Sequence, residues 1–185
     1  MRILCTLLLA SLLSAGESVI SNGSFERVQM NGGRLLPIGW EWYAWDRSLD
    51  DVRIGVVRSS YDGSNAVAVR SITTGAAGIV SHPIALTSNT LSYSFTFYQR
   101  KSADYAGNRP WIFITIWQND RFINNIDAPK TLADNEWKQL SFTVRRSDIP
   151  AACTHIRVCL ATLSLGTAYE GTLFYDAVTG IKNDN

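Results

Sequence analysis

Hydrophobic and polar residues alternate along this chain with a period of two. Leu91, Tyr93, Phe95 and Phe97 interleave with Ser92, Ser94, Thr96 and Tyr98. Ile112, Ile114 and Ile116 interleave with Trp111, Phe113, Thr115 and Trp117. Leu140, Phe142 and Val144 follow the same rule, as do Ile156, Val158 and Leu160. Shorter runs lie at 52–57, 65–70, 79–84, 122–126 and 172–178. No twelve-residue stretch carries a helical stripe. Strict alternation is the mark of antiparallel sheets covered on one side. Turn-forming clusters separate the runs, such as Tyr61-Asp62-Gly63-Ser64 and Ala106-Gly107-Asn108. About nine short strands in one domain predict an all-β fold, a jelly-roll β-sandwich of two antiparallel sheets.

The first residues do not follow this pattern. Arg2 precedes an apolar run from Ile3 to Leu13, and the small residues Ser14-Ala15-Gly16 close it. That layout predicts a secretory signal peptide over residues 1–16 and a single domain over 17–185, exported and extracellular. No later segment has the roughly 18 uninterrupted apolar residues that a membrane helix needs. Of the three cysteines, Cys5 lies in the leader, leaving Cys153 and Cys159. Six residues of extended strand span roughly 20 Å, and a disulfide needs Cα atoms within about 7 Å. The two therefore pair only if the chain bends between them; otherwise they are two thiols.

The chain has 185 residues, 17 basic and 16 acidic, with a formal net charge of +1. Phosphate-backbone binding calls for a basic excess, so no nucleic-acid partner is expected. The two histidines, His82 and His155, are too few for a His-built metal site. There is no G-x-S-x-G elbow, H-E-x-x-H, Walker loop or C-x-x-C. Glu41, Glu136 and Glu170 could in principle form a glycosidase pair, but carboxylates alone are a weak signal.

An ordered set of short motifs spans nearly the whole of residues 17–185. It comprises Asn22-Gly23-Ser24-Phe25-Glu26, Gly39-Trp40, Asp62-Gly63-Ser64-Asn65-Ala66-Val67-Ala68-Val69, Trp137 before a strand, and Tyr175-Asp176-Ala177-Val178. This series resembles the carbohydrate-binding modules of families 4, 9, 16 and 22, which are galactose-binding-like jelly rolls. The resemblance implies a structural calcium ion between the first and last strands. It would be held by the carboxylates of Glu26 and Asp176 and by backbone carbonyls near Ser24 and Asn65. Carboxylates and carbonyls are the hard oxygens that calcium takes. The alternative is that both acids are ordinary strand-end residues. Asn22-Gly23-Ser24 is also an N-glycosylation pattern, read here as part of the family motif.

A sugar binder leaves flat rings exposed against the C–H face of a saccharide and meets the hydroxyl fringe with polar groups. If Ile112, Ile114 and Ile116 fill the core, Trp111, Phe113 and Trp117 face outward; the opposite phase exposes the isoleucines. Tyr98 and Arg100 fall on the polar side of one strand and His155 and Arg157 on that of another, so these four could line one concave sheet with the aromatics. Trp40 and Trp137 are expected in the core. From Trp42-Tyr43-Ala44-Trp45, Tyr43 and Trp45 are expected at the cleft. Arginine outnumbers lysine 13 to 4, which suits carboxylate or sulfate recognition or reflects no more than surface pairing. The leading expectation is non-catalytic binding of a polysaccharide or oligosaccharide. The alternatives are a small glycoside hydrolase or a lyase using Tyr98, Arg100, His155 and Arg157, or an adhesion domain that binds other extracellular proteins.

Overall fold

The computed structural model describes residues 18–45, 52–71, 75–106, 108–130, 134–164 and 171–184. The predicted leader, residues 1–16, lies outside them. Among the described residues no helix is long and apolar enough to cross a membrane. The strands are β1 (Val28–Asn31), β2 (Arg34–Pro37), β3 (Trp40–Trp45), β4 (Val52–Val57), β5 (Ala66–Ser71), β6 (Gly75–Ser81) and β7 (Ile84–Ala85). Then come β8 (Thr90–Lys101), β9 (Asn108–Gln118), β10 (Arg121–Asp127), β11 (Lys138–Arg145), β12 (His155–Ser164) and β13 (Leu173–Asp184). Eight of the nine runs read from the sequence each map onto one of these strands, and the run 79–84 spans the end of β6 and the start of β7.

The strands form an antiparallel jelly-roll sandwich. One sheet has the order β10-β9-β12-β6-β3, with β7 also paired to β12. The other has the order β11-β8-β13-β5-β4, and β1 and β2 make a separate hairpin. Neighbours distant in sequence, such as β9 with β12 and β8 with β13, give the crossovers of a jelly roll.

The inward rows of the two sheets make the core. Ile112, Ile114, Ile116, Ile156, Val158 and Leu160 come from one side, and Tyr93, Phe95, Phe97, Val67, Val69 and Tyr175 from the other. Trp40 is buried edge-on against Phe25, as expected of it. Tyr175 spans the sandwich, its hydroxyl donating to the Ala161 carbonyl at 2.7 Å, so even the phenol buried deepest is satisfied.

Cys153 and Cys159 are both buried and unpaired. Cys153 packs into the main core ahead of β12, whereas Cys159 lies on the outer side of its sheet with Val80, Phe113 and Ala161. Cys153 sits in the turn before β12, outside its alternation, and the two thiols lie in different clusters on opposite sides of the sheet. Burial also pushes the Cys159 thiol well above its ordinary range. Thiol titration of the native protein should therefore leave Cys153 and Cys159 unmodified, and both should react once denaturant is added. A native protein in which the two are linked would contradict this arrangement.

Candidate functional site

The outer face of the six-stranded sheet is built from rows set by register. One row runs Trp111, Ala161, Gly78, Tyr43; the next toward the β9–β10 turn runs Asp127, Phe113, Cys159, Val80, Glu41. Beyond it come Asn125, Thr115 and Arg157, and then Phe122, Trp117 and His155. The outward phase expected for Trp111, Phe113 and Trp117 is the one the structure has. Phe113 is nevertheless fully buried, because this face carries a small apolar cluster of its own.

The residues between Tyr43 and Phe113 are small, and that decides the shape. Gly78 and Ala161 raise nothing above the sheet, so the Tyr43 ring leans across to meet Phe113 edge-on at 5.6 Å. A Cβ at Gly78 would fall 2.2 Å from the Leu160 carbonyl oxygen, so no larger residue fits there. Trp111 covers Phe113 from the other side at 4.3 Å, and its indole N–H donates to Asp127 at 3.1 Å.

Trp117 is half-buried and fixed from three directions. Its N–H donates to Thr115 at 2.8 Å, Phe122 meets it edge-on at 5.6 Å, and the His155 ring lies nearly parallel at 6.0 Å. Burial, with the charge of Arg157 second, holds His155 below the ordinary imidazole range, so it is neutral at pH 7. Tyr43, Thr115, Trp117, Phe122, Asn124 and Asn125 bound a cleft of about 440 Å³. Phe122 is 48% exposed, and the Oδ1 of Asn125 is shielded without a hydrogen-bond partner. A bulge between Phe122 and Asn124 re-aims β10, placing two adjacent amides at the cleft.

Arg157 acts here as a strut. Its Nε donates to the Ser81 carbonyl and its Nη2 to Glu41, each at 2.7 Å, tying β12, β6 and β3 together. Trp45 ends β3 opposite Ala76; its side chain lies outside the described residues.

Tyr98 and Arg100 are not at this cleft. They lie on β8, on the outer face of the five-stranded sheet, on the far side of the sandwich from Arg157 and His155. The reason is parity: both pairs are outward, but on different sheets, and periodicity says nothing about which sheet a strand joins. Tyr98 stacks on Tyr61 at 3.4 Å, and the Arg100 guanidinium sits over Phe174 at 4.4 Å and over Trp137 at 5.2 Å. Trp137, expected in the core, belongs to this outer cluster and is half-buried. The lyase set of Tyr98, Arg100, His155 and Arg157 is thus not assembled. Glu41 and Asp127 share a face but lie four strand spacings apart, about 19 Å, beyond the 5–9.5 Å of glycosidase pairs. Glu170 lies outside the described residues.

The acids of the N-terminal and C-terminal motifs do meet. Glu26 Oε1 accepts the N–H groups of Ser64 and Asn65 at 2.8 and 2.9 Å. Asp176 Oδ2 accepts those of Tyr61 and Asp62 at 2.8 and 3.0 Å, and Oδ1 accepts that of Ala177. One turn, 61–65, is clasped at both ends. Gly63 stands at φ +69°, and a Cβ there would strike Glu26. Burial raises the Asp176 pKa against the opposing pull of its amides. Ser24 lies one residue from Gly23, whose carbonyl accepts the Val178 N–H at 2.9 Å. Asn22 has its amide on the carbonyls of Arg27 and Ile38, which accounts for its place in the motif without a glycan. Carboxylates are hard oxygen donors of the kind calcium takes, but both of these face backbone N–H groups, and among the described residues no three His, Cys, Asp or Glu side chains are gathered to hold a metal.

No protein-family model matches the sequence, and no curated protein matches it. Solved structures do. The CBM22-1 xylan-binding domain from Paenibacillus barcinonensis Xyn10C superposes over 92% of this chain and 97% of its own, with a TM-score of 0.62 and 13% identity. This chain shares the jelly-roll fold of that xylan-binding domain. The same jelly roll occurs in the Stig cyclase Fisc from Fischerella sp. TAU, solved with an indole compound, at a TM-score of 0.59 and 16% identity over 89% of this chain and 96% of that one. The CBM22-1-GH10 modules of Clostridium thermocellum xylanase 10B, complexed with xylohexaose, match 78% of this chain and 26% of theirs, with 14% identity and a TM-score of 0.51.

Within this jelly roll, Phe122, Asn124, Asn125 and Asp127 are the face residues that sequence reasoning passed over. The bulge in β10 breaks its alternation, so no simple phase could be read from Phe122 onward. Asp176→Asn should lower the melting temperature by several degrees, about 1–3 kcal/mol, because an amide cannot accept at both positions. An unchanged calorimetric melt would show that the clasp contributes nothing.

Proposed function

We propose that this protein is a non-catalytic binder of polysaccharide or oligosaccharide, acting at the outer face of its six-stranded sheet. The observation that carries this reading is the cleft between Tyr43 and Trp117. It offers exposed aromatic surface from Trp117 and Phe122 beside the amides of Asn124 and Asn125. A sugar ring laid on Trp117 would bury its C–H face against the indole, and its hydroxyls would meet the amides. The shielded Asn125 oxygen, which has no protein donor, would gain one from a hydroxyl. The indole N–H of Trp117 is committed to Thr115, so the ring is already held in place before ligand arrives.

Among the described residues, Tyr98 and Arg100 lie on the face opposite His155 and Arg157, and Glu41 and Asp127 are too far apart for a glycosidase pair. The xylan-binding neighbour makes xylo-oligosaccharide the first probe to use. The leader-like residues 1–16 suit a protein that meets such glycans outside the cell.

Calcium, when bound, would be held by Glu26 and Asp176 with carbonyls near Ser24 and Asn65, and would reinforce the clasp between the first and last strands. Excess chelator should then lower the melting temperature, and calcium should restore it. A melt unmoved by chelator would assign the clasp to its hydrogen bonds alone.

Trp117→Ala should weaken binding to xylo-oligosaccharide or another neutral β-glycan about tenfold in calorimetric titration. The fold should remain, because Trp117 is half-exposed. Wild-type protein silent across a neutral glycan array, or a Trp117→Ala variant that binds equally well, would refute the reading.

A further inference from the structure

The clasped turn 61–65 carries a tyrosine that the clasp itself does not use. Asp176 accepts the main-chain N–H groups of Tyr61 and Asp62, and Glu26 accepts those of Ser64 and Asn65. The turn is therefore anchored through its backbone, and the Tyr61 side chain projects from a fixed base.

That ring lies on Tyr98, with centroids 3.4 Å apart and 13° between the planes. Tyr98 is an outward residue of β8 on the five-stranded sheet. One face of the Tyr61 ring is thus covered, yet the residue is still 47% exposed. The Trp137 indole stands beside it, edge-on at 6.4 Å and 67°. Trp137 is held in turn, because the Arg100 guanidinium lies over it at 5.2 Å and over Phe174 at 4.4 Å and donates to Ser59 at 2.5 Å. The result is a step: an open phenol surface with an indole as its side wall. Packing accounts for Tyr98, Trp137 and Phe174, which are half-buried. It does not account for Tyr61, since four amide bonds already secure the turn and much of the ring stays in water.

The neighbouring positions say what such a surface would meet. Gln139 is the direct partner of Tyr98, and one row further along β8 Thr96 lies between Ser141 and Thr179. All four are uncharged and exposed or half-exposed. Beyond them Ser94, Thr143 and Asn183 bond to one another, a ladder that does not include the hydroxyls nearer the ring. Among the described aromatic residues of this face only Tyr61 is largely exposed. One open ring is far too little for a stable protein interface, which buries about 800 Å² on each partner. It matches one sugar ring, whose C–H face stacks on a flat aromatic while its hydroxyls meet neutral donors and acceptors at the rim.

We propose that Tyr61, backed by Tyr98 and flanked by Trp137, is a second saccharide site, for one residue of a neutral glycan, on the face of the sandwich opposite the cleft. The backbone clasp sets the ring in place beforehand, so little ordering is lost on binding. The Gln139 amide and the Thr96 and Ser141 hydroxyls lie within roughly 7 Å of Tyr98 along the sheet, a reach suited to the sugar's fringe. The site stands whether or not the cleft binds. Where both bind, one molecule holds two glycan chains on opposite faces.

The test is nuclear magnetic resonance titration of the isotope-labelled protein with xylohexaose and, separately, with cellohexaose. With at least one of them the amide signals of Tyr61, Thr96 and Gln139 should move together, on a binding curve separate from that of Trp117 and Asn125 in the cleft. Tyr61→Ala should weaken binding at this face about tenfold and leave the cleft curve as it was. Alanine keeps the N–H that Asp176 accepts, so the clasp persists. Tyr61→Phe should bind like wild type, because stacking needs the ring and not the hydroxyl. The wild-type titration decides without any variant: no movement at this face with either hexasaccharide overturns the proposal. A Tyr61→Ala protein that responds here like wild type overturns it too. Movement confined to the cleft refutes this site and keeps the cleft, whereas movement confined to this face does the reverse.

Discussion

The site depends on one strand being apolar on both sides. In β9 the isoleucines at 112, 114 and 116 enter the main core, while Trp111, Phe113 and Trp117 occupy the other face. An ordinary half-solvated strand has polar residues in those places. Here the outer face holds a second small cluster, and Phe113 is its buried centre. Tyr43 and Trp111 close over Phe113, and with Trp117 and Phe122 they shape the surface around the cleft. The small residues Gly78 and Ala161 make this possible, because a larger side chain at either position would hold Tyr43 away from Phe113.

Much of the architecture was legible in the alternation of residues. Eight of the nine runs each fall on one strand and the ninth, 79–84, bridges β6 and β7, and the outward phase of Trp111, Phe113 and Trp117 holds because exposing three isoleucines is unfavourable. The strands that were missed have a local reason. β1 and β2 form a mostly exposed hairpin through Gly32 and Gly33 and show no alternation, and β3 carries aromatics on both faces. The candidate site was half legible. Tyr43, Trp111 and Trp117 share a face with Arg157, but Tyr98 and Arg100 do not. Alternation tells which residues point outward and leaves open which sheet a strand joins. Trp137 shows a related difficulty, since an indole packed beneath a guanidinium reads in sequence like any core tryptophan.

The motif at the chain's start has a mechanical explanation. Asn22 stands at φ +51° with its amide bonded to two carbonyls, and Gly23 lies against Val178, where a Cβ would come within 1.7 Å of the carbonyl oxygen. Glu26 then reaches the turn that Asp176 grips from the other end. Residues far apart in sequence are locked into one junction by backbone amides and two acids. The order of the short motifs along the chain is therefore a record of that junction, and for this reason they carry more information together than singly.

The two buried, unlinked sulfurs have a consequence for where such a sandwich can operate. No covalent bridge contributes to its cohesion among the described residues, so its integrity does not depend on the oxidising or reducing character of its surroundings. Many small secreted scaffolds rely on cystine cross-links because their cores are too small. Here two packed layers and an amide-clasped junction suffice, and the structure can form with no oxidative step in its assembly.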